Sequence, residues 1–155
     1  MDDTESEFDH RLTDPTLPNE IALSVVSAGS IGQCITLAAN PNLSAEAQAR
    51  LADHTEEVVA ESLLLNQTIS PASVSKLLAR WKVQPELANQ AKHHVNAPDS
   101  IKVTLEVGTM TWASLDRFLE NQGATSGERK TLATYMGTEE SGTLGEVWAR
   151  IRALA

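Results

Sequence analysis

The chain has 155 residues, enough for one compact domain but too few for a second one that folds independently. Aromatic residues make up only 4% of it, so the core must come from Leu, Val, Ile and Ala, a mixture that favours packed helices over a β-sandwich. With 21 acidic residues against 12 Lys and Arg, the net charge is −9 and no basic face is apparent. We therefore expect no direct binding to nucleic acid or to an anionic membrane.

The first residues are strongly acidic. Asp2, Asp3, Glu5, Glu7 and Asp9 all precede the first Arg or Lys. This composition predicts that residues 1–11 form a disordered, solubilising tail. The alternative is a docking arm for a basic partner, with Asp2, Asp3, Glu5 and Glu7 as candidate partner-binding residues.

Four turn-like segments recur along the chain at spacings of 26, 26 and 28 residues. Asp, Asn, Pro and Ser in these segments favour a turn that leads into a helix. The first residues of the segments are Asp14, Asn40, Asn66 and His94. The residues three positions later are Leu17, Leu43, Ile69 and Ala97, and those eleven positions later are Val25, Leu51, Leu77 and Leu105. A period in this range is typical of stacked helical repeats, so we expect these aliphatic residues to form successive layers of one ridge.

Two helices are predicted in each repeat. In the third repeat Ser70 can cap the first helix, with Pro71 at its first position, and Val74 and Leu77 are spaced to share one face. Asp53 and Glu56 have the spacing of a reciprocal cap for a second helix. The apolar residues assigned to the second helices are Ile31, Ile35 and Leu37, then Val58, Val59, Leu63 and Leu64, then Val83, Leu87 and Ala91.

The fourth repeat is the least regular. Val103, Leu105 and Val107 alternate as in a strand, which predicts a short extended or irregular piece. Trp112 then begins an apolar stripe of helical spacing, and we expect both it and Trp148 in the core or in the C-terminal cap.

The last segment, residues 121–155, is predicted to form a pair of short helices. Thr125 with Glu128, and Thr143 with Glu146, have capping-box spacing, and Gly137 is placed to end the first helix. Leu144, Val147, Trp148, Ile151 and Leu154 trace an apolar stripe on the second. The stripe is explained by a cap over the flank of the last repeat, or by a docking face for a homodimer.

The stretch from Leu37 to Ala52, which contains Asn40-Pro41-Asn42-Leu43-Ser44, resembles the leucine-rich repeat variant family, related in architecture to HEAT and armadillo arrays. The resemblance implies a right-handed superhelix in which an α-helix and a shorter helix, often 3₁₀, alternate over residues 12–120. Some family members carry an iron–sulfur cluster held by several N-terminal cysteines, which does not carry over because this chain has none before Cys34. The expected fold is all-α: a short right-handed α-solenoid of about four degenerate repeats of 26–28 residues with a C-terminal helical cap.

No residue pattern indicates catalysis, a metal or a cofactor. Gly29-Ser30-Ile31-Gly32 lacks the lysine of a nucleotide-binding loop, and adjacent His93 and His94 on a helix would point about 100° apart. Glu56-Glu57 and Glu139-Glu140 are expected to face water, and Cys34 to pack as a small hydrophobe. We therefore expect a protein that is not an enzyme, and the single cysteine and absent apolar span favour the cytoplasm.

Trp81 stands between Arg80 and Lys82 at the predicted end of a helix. A core position is one interpretation, and a half-buried Trp beside Arg is also the usual composition of an interface hot spot. Arg80, Trp81 and Lys82 are thus candidate partner-binding residues. The function expected is a protein-binding scaffold or adaptor, and the alternative is an acidic inhibitor that imitates nucleic acid in a basic groove of another protein.

Overall fold

A computed structural model describes residues 10–136 and 142–153, which form two compact units, one within Met1–Ala91 and one within Lys92–Ala155. These residues contain ten α-helices and one 3₁₀ helix, and their only β feature is an isolated bridge between Glu106 and Thr143. The predicted all-α class is confirmed. The helices are α1 (Asn19–Ala28), α2 (Ile31–Ala38), α3 (Ala45–Ala52), α4 (Glu57–Leu65), α5 (Pro71–Trp81), α6 (Pro85–Lys92), α7 (Asp99–Lys102), a 3₁₀ helix (Val107–Thr109), α8 (Trp112–Gln122), α9 (Ser126–Tyr135) and α10 (Leu144–Ala153).

Most predicted helix starts are confirmed. The Ser70 hydroxyl accepts a hydrogen bond from the Ser73 N–H at the start of α5, and Pro71 is the first helical residue. Thr125 and Glu128 form the predicted capping box of α9. A capping box at α2, between Ser30 and Gln33, was not foreseen.

The predicted cap of α4 is wrong. Glu56 precedes α4 as its N-cap residue but makes no side-chain cap, because the expected partner, Asp53, ends α3 instead. The Asp53 carboxylate pairs with Lys76 at 2.7 Å. The Glu56 N–H donates to Nδ1 of His54, which takes the place of the carboxylate.

In the N-terminal unit, helix α3 lies against α1 and α5, and α2 lies against α4. In the first two repeats the first helix also contacts the second, α1 with α2 and α3 with α4. Three residues of the predicted layers, Val25, Leu51 and Leu77, are buried in this unit. Leu105 is buried in the core of the C-terminal unit. A single ridge through all four residues therefore stays a prediction.

Side chains at the four repeated anchors hold their turns in the same way. Asp14, Asn40 and Asn66 each accept, through a side-chain oxygen, a hydrogen bond from the backbone N–H two residues later, at 2.8 to 3.0 Å. At the fourth anchor Nδ1 of His94 accepts from Asn96 N–H at 2.9 Å. An imidazole nitrogen thus replaces the amide oxygen, and the turn chemistry is preserved.

Two of these anchors also join successive turns. The Asn40 amide donates to the carbonyl oxygens of Leu12 and Asp14 at 2.8 and 2.9 Å. The Asn66 amide donates to those of Ala38 and Asn40, both at 2.8 Å. The sequence separations are 28 and 26 residues in both cases, so the hydrogen bonds repeat with the period of the sequence.

The C-terminal unit has its own core, built on α8, α9 and α10. The rings of Phe118 and Trp148 meet edge to face with centroids 5.7 Å apart, and Leu144, Val147 and Ile151 are buried with them. The described part of the apolar stripe of α10 is thus buried within this unit. Leu154 and Gly137 lie outside the described residues.

The predicted burial of Trp112 and Trp148 and the predicted extended piece at residues 103–107 have different outcomes. Trp148 is buried as expected, whereas the core position predicted for Trp112 is wrong, because this first residue of α8 is 53% exposed. The alternating segment is irregular: α7 ends at Lys102, and Leu105 and Val107 are buried on either side of the bridged Glu106.

Candidate partner-binding surface

The C-terminal end of α5 carries the three candidate residues of the sequence. Trp81 is the last residue of the helix and is half-buried, while Arg80 and Lys82 are exposed on either side of it. The Arg80 guanidinium carbon lies 5.9 Å from the centroid of the Trp81 ring, within the range of a cation–π contact. The sequence thus identified three neighbours that share one corner.

Arg80 also joins this corner to the preceding repeat. Its Nε donates to the carbonyl oxygen of His54 at 3.2 Å, 26 residues earlier. Nearby, the Gln84 amide donates to Glu57. The guanidinium thus contacts both the Trp81 ring and the backbone of the preceding repeat.

The indole nitrogen of Trp81 is the unusual atom of this corner. Nε1 is buried and makes no hydrogen bond to any described residue. An indole N–H can only donate, and a buried donor without an acceptor costs free energy that most proteins avoid. The Trp81 indole N–H is therefore a donor that the described residues leave without an acceptor.

Exposed aliphatic residues stand at or just before the first turns of the second helices. Val83 follows the candidate residues directly and is 86% exposed, while Ile31 and Val58 are exposed at the starts of α2 and α4. Single exposed aliphatics are common, but here one of them adjoins a half-exposed Trp and two cations. We call Arg80, Trp81, Lys82 and Val83 the α5 corner.

The other residues singled out in the sequence are not part of the α5 corner, and several of them lie outside the described residues. Asp2, Asp3, Glu5, Glu7, Glu139 and Glu140 lie outside the described residues. Glu56 and Glu57 are exposed, as expected. Cys34 is fully buried beside the Val25 carbonyl oxygen and packs as the expected small hydrophobe. Its burial raises the pKa of the thiol.

His93 and His94 are not brought into a metal-binding arrangement. His94 is buried and its Nδ1 is occupied by the Asn96 N–H, while burial lowers the pKa of the half-buried His93. Among residues 10–136 and 142–153, no group of three or more His, Cys, Asp and Glu side chains is close enough to hold a metal ion.

Sequence reasoning missed a buried lysine in the C-terminal unit. The Lys102 side chain is inaccessible to solvent, and its Nζ donates to the carbonyl oxygens of Val95 and Ser114 at 2.7 and 2.8 Å. Burial lowers the pKa of Lys102 to about 8, an effect that the nearby Asp99 opposes. The only signal was its register, since Lys102 stands eight positions after its anchor, as Gln48 does.

Lys102 makes stability depend on pH in the alkaline range. Because its pKa is about 8 in the folded chain and near 10.5 in the unfolded one, the unfolded chain binds more protons between these values. The free energy of unfolding should therefore rise with pH there, by about 2 kcal/mol between pH 8 and 10 relative to Lys102→Met. Urea unfolding of both proteins at the two pH values measures this difference. Parallel changes in both would contradict it.

The described residues thus define an all-α protein whose most distinctive surface is an aromatic and basic corner. Comparisons with protein-family models, with curated proteins and with solved structures give no match. In the part of the chain that the structure describes, none of the helices combines the length and apolarity needed to traverse a bilayer.

Proposed function

We propose that this chain is a non-catalytic scaffold or adaptor that binds a partner protein through a helical-repeat surface. The observation that carries the proposal is the α5 corner, where a half-buried Trp81 contacts Arg80 and the exposed Val83 follows two residues later. Tryptophan and arginine contribute more binding energy at protein interfaces than most residues do. The orphan Nε1–H of Trp81 would gain an acceptor if the side chain shifts on binding.

The architecture proposed for this surface is a right-handed α-solenoid of about four repeats over residues 12–120, similar to leucine-rich repeat variant and HEAT arrays. The 26-residue spacing of the amide hydrogen bonds supports it, as do the contacts between α1, α3 and α5. The fourth turn, at His94, preserves the anchor bond. Residues 121–155 would then cap the array, and a homodimer through α10 stays a prediction.

The test of this function is substitution within the α5 corner. We expect Trp81→Ala and Arg80→Ala each to lose the partners that the wild-type chain recovers from its native lysate, because both remove contact area at one spot. Trp112→Ala is the matched control, since Trp112 is also exposed but lies in the C-terminal unit. If Trp81→Ala recovers the same partners as the wild-type chain and keeps its far-UV circular dichroism spectrum, the α5 corner is not the binding surface.

The second candidate function is an acidic inhibitor that imitates nucleic acid, and the net charge of −9 favours it. It predicts an affinity that falls steeply with ionic strength, because the complex would rest on long-range charge attraction. Binding at the α5 corner would be far less sensitive to salt. We place either activity in the cytoplasm, where the buried free thiol of Cys34 stays reduced.

A further inference from the structure

A cavity of about 300 Å³ lies in the N-terminal unit, between residues 17–22 and residues 40–44. Its walls include Leu17, Asn19, Ala22, Leu43 and Ser44, and none of the residues that line it is ionisable. The volume is at the lower end of the range for small-molecule sites. The cavity does not include the α5 corner.

The next repeat shows what fills the equivalent space. Adding 26 to the cavity residues Leu17, Ala22 and Ser44 gives Leu43, Gln48 and Ser70. There the Gln48 side chain spans the space between two backbone groups. Its Nε2 donates to the Leu43 carbonyl oxygen at 3.0 Å, and its Oε1 accepts from the Ser70 N–H at 2.8 Å. Gln48 is buried in this position.

In the cavity, the two equivalent backbone groups make no such hydrogen bond. The Ala22 methyl group cannot hydrogen-bond to them, and neither the Leu17 carbonyl oxygen nor the Ser44 N–H bonds to any described residue. The Ser44 hydroxyl is already used, because it donates to Oδ1 of Asn19, another residue that lines the cavity, at 2.5 Å. Two residues that line the cavity, Leu17 and Ser44, thus carry an unused backbone acceptor and an unused backbone donor at the positions that hold a carboxamide one repeat later.

We propose that this cavity binds the side-chain carboxamide of a glutamine from a partner polypeptide. The amide nitrogen would donate to the Leu17 carbonyl oxygen and the amide oxygen would accept from the Ser44 N–H, as Gln48 does one repeat later. A glutamate would place its second oxygen against the Leu17 carbonyl, and a methionine would leave both backbone groups unpaired. The site therefore selects a carboxamide over an isosteric acid or thioether.

The inference deepens the proposed function by naming a side chain that a partner would present, and its test is separate. The probe is N-acetyl-glutamine-N-methylamide, titrated into the ¹⁵N-labelled full chain. We expect a saturable shift of the Ser44 N–H resonance, at about millimolar probe. The corresponding glutamate and methionine compounds should bind about tenfold more weakly or not at all.

Two variants supply the matched controls. Ala22→Gln should fill the cavity from within, so the Ser44 resonance moves in the free protein and no longer responds to the probe. Gln48→Ala should open the equivalent space in the second repeat, so the Ser70 N–H should respond to the probe. In the wild-type chain it should not respond, because it already donates to Gln48 Oε1. If Gln48→Ala fails to fold, the loss of response in Ala22→Gln decides alone.

No saturable shift at Ser44, an equal response to the methionine compound, or an undiminished response in Ala22→Gln would each overturn the carboxamide site. Trp81→Ala should bind the probe as the wild-type chain does. A negative titration at Ser44 therefore does not contradict partner binding at the α5 corner. Likewise, a negative result at the α5 corner does not change the titration expected at Ser44.

Discussion

Replacing Asn66 by Ala should lower the free energy of unfolding by about 3 kcal/mol. The Asn66 amide is buried and donates to two backbone carbonyls at 2.8 Å, while its oxygen accepts from the Thr68 N–H. Removing it leaves the carbonyl oxygens of Ala38 and Asn40 without this donor in a buried place, and it also releases the turn. Urea unfolding followed by far-UV circular dichroism measures the loss.

Asn89→Ala is the control for this substitution, because Asn89 is exposed on α6 and should change stability by no more than about 0.5 kcal/mol. Asn66→Asp separates the two roles of the amide. The carboxylate keeps the turn but faces two carbonyl oxygens, so we expect a larger loss than for Ala at neutral pH and a partial recovery when the acid is protonated. Equal stabilities of the Asn66→Ala and Asn89→Ala proteins would contradict the stabilising role of the Asn66 side-chain amide.

Replacing Leu77 by Ala should cost about 3 kcal/mol as well. Leu77 lies on the buried face of α5 and has no solvent exposure, and rigid neighbours on the helices around it cannot close the space that a missing isobutyl group leaves. The same equilibrium unfolding experiment measures this loss.

Leu65→Ala is its matched control, since Leu65 ends α4 and is 71% exposed. The identical chemical change should there cost about 0.5 kcal/mol or less. A similar loss at both positions would contradict the buried role of the residue eleven positions after each anchor.

Most helix starts and the burial of single apolar residues could be predicted because they follow from local patterns. Ser70-Pro71 starts a helix by its own chemistry, and Val74 and Leu77 share a face by spacing alone. The cap of α4 could not, because Asp53 had two possible uses and its contact with Lys76 depends on tertiary packing. Trp112 was misplaced for a similar reason: an apolar residue at the first turn of a helix continues the stripe in sequence but faces outward in space.

The candidate surface was predicted in composition but not in geometry. Arg80 and Trp81 are neighbours in the sequence, whereas the bond from Arg80 to His54 spans 26 residues and requires the fold. The cavity beside Ala22 could not be found from one repeat alone, because its chemistry emerges only from comparison with Gln48 in three dimensions. The role of Lys102 was hidden because a lysine in a sequence is presumed to face solvent.

The most direct test of the repeated architecture is hydrogen exchange of the asparagine side-chain amides, followed by ¹H–¹⁵N NMR on the full chain. We expect the amide protons of Asn40 and Asn66 to exchange slowly, because both side chains are buried and donate to carbonyl oxygens 26 and 28 residues earlier. Those of the exposed Asn89 should exchange at the rate of free amide. Exchange of Asn40 and Asn66 as fast as that of Asn89 would contradict the architecture.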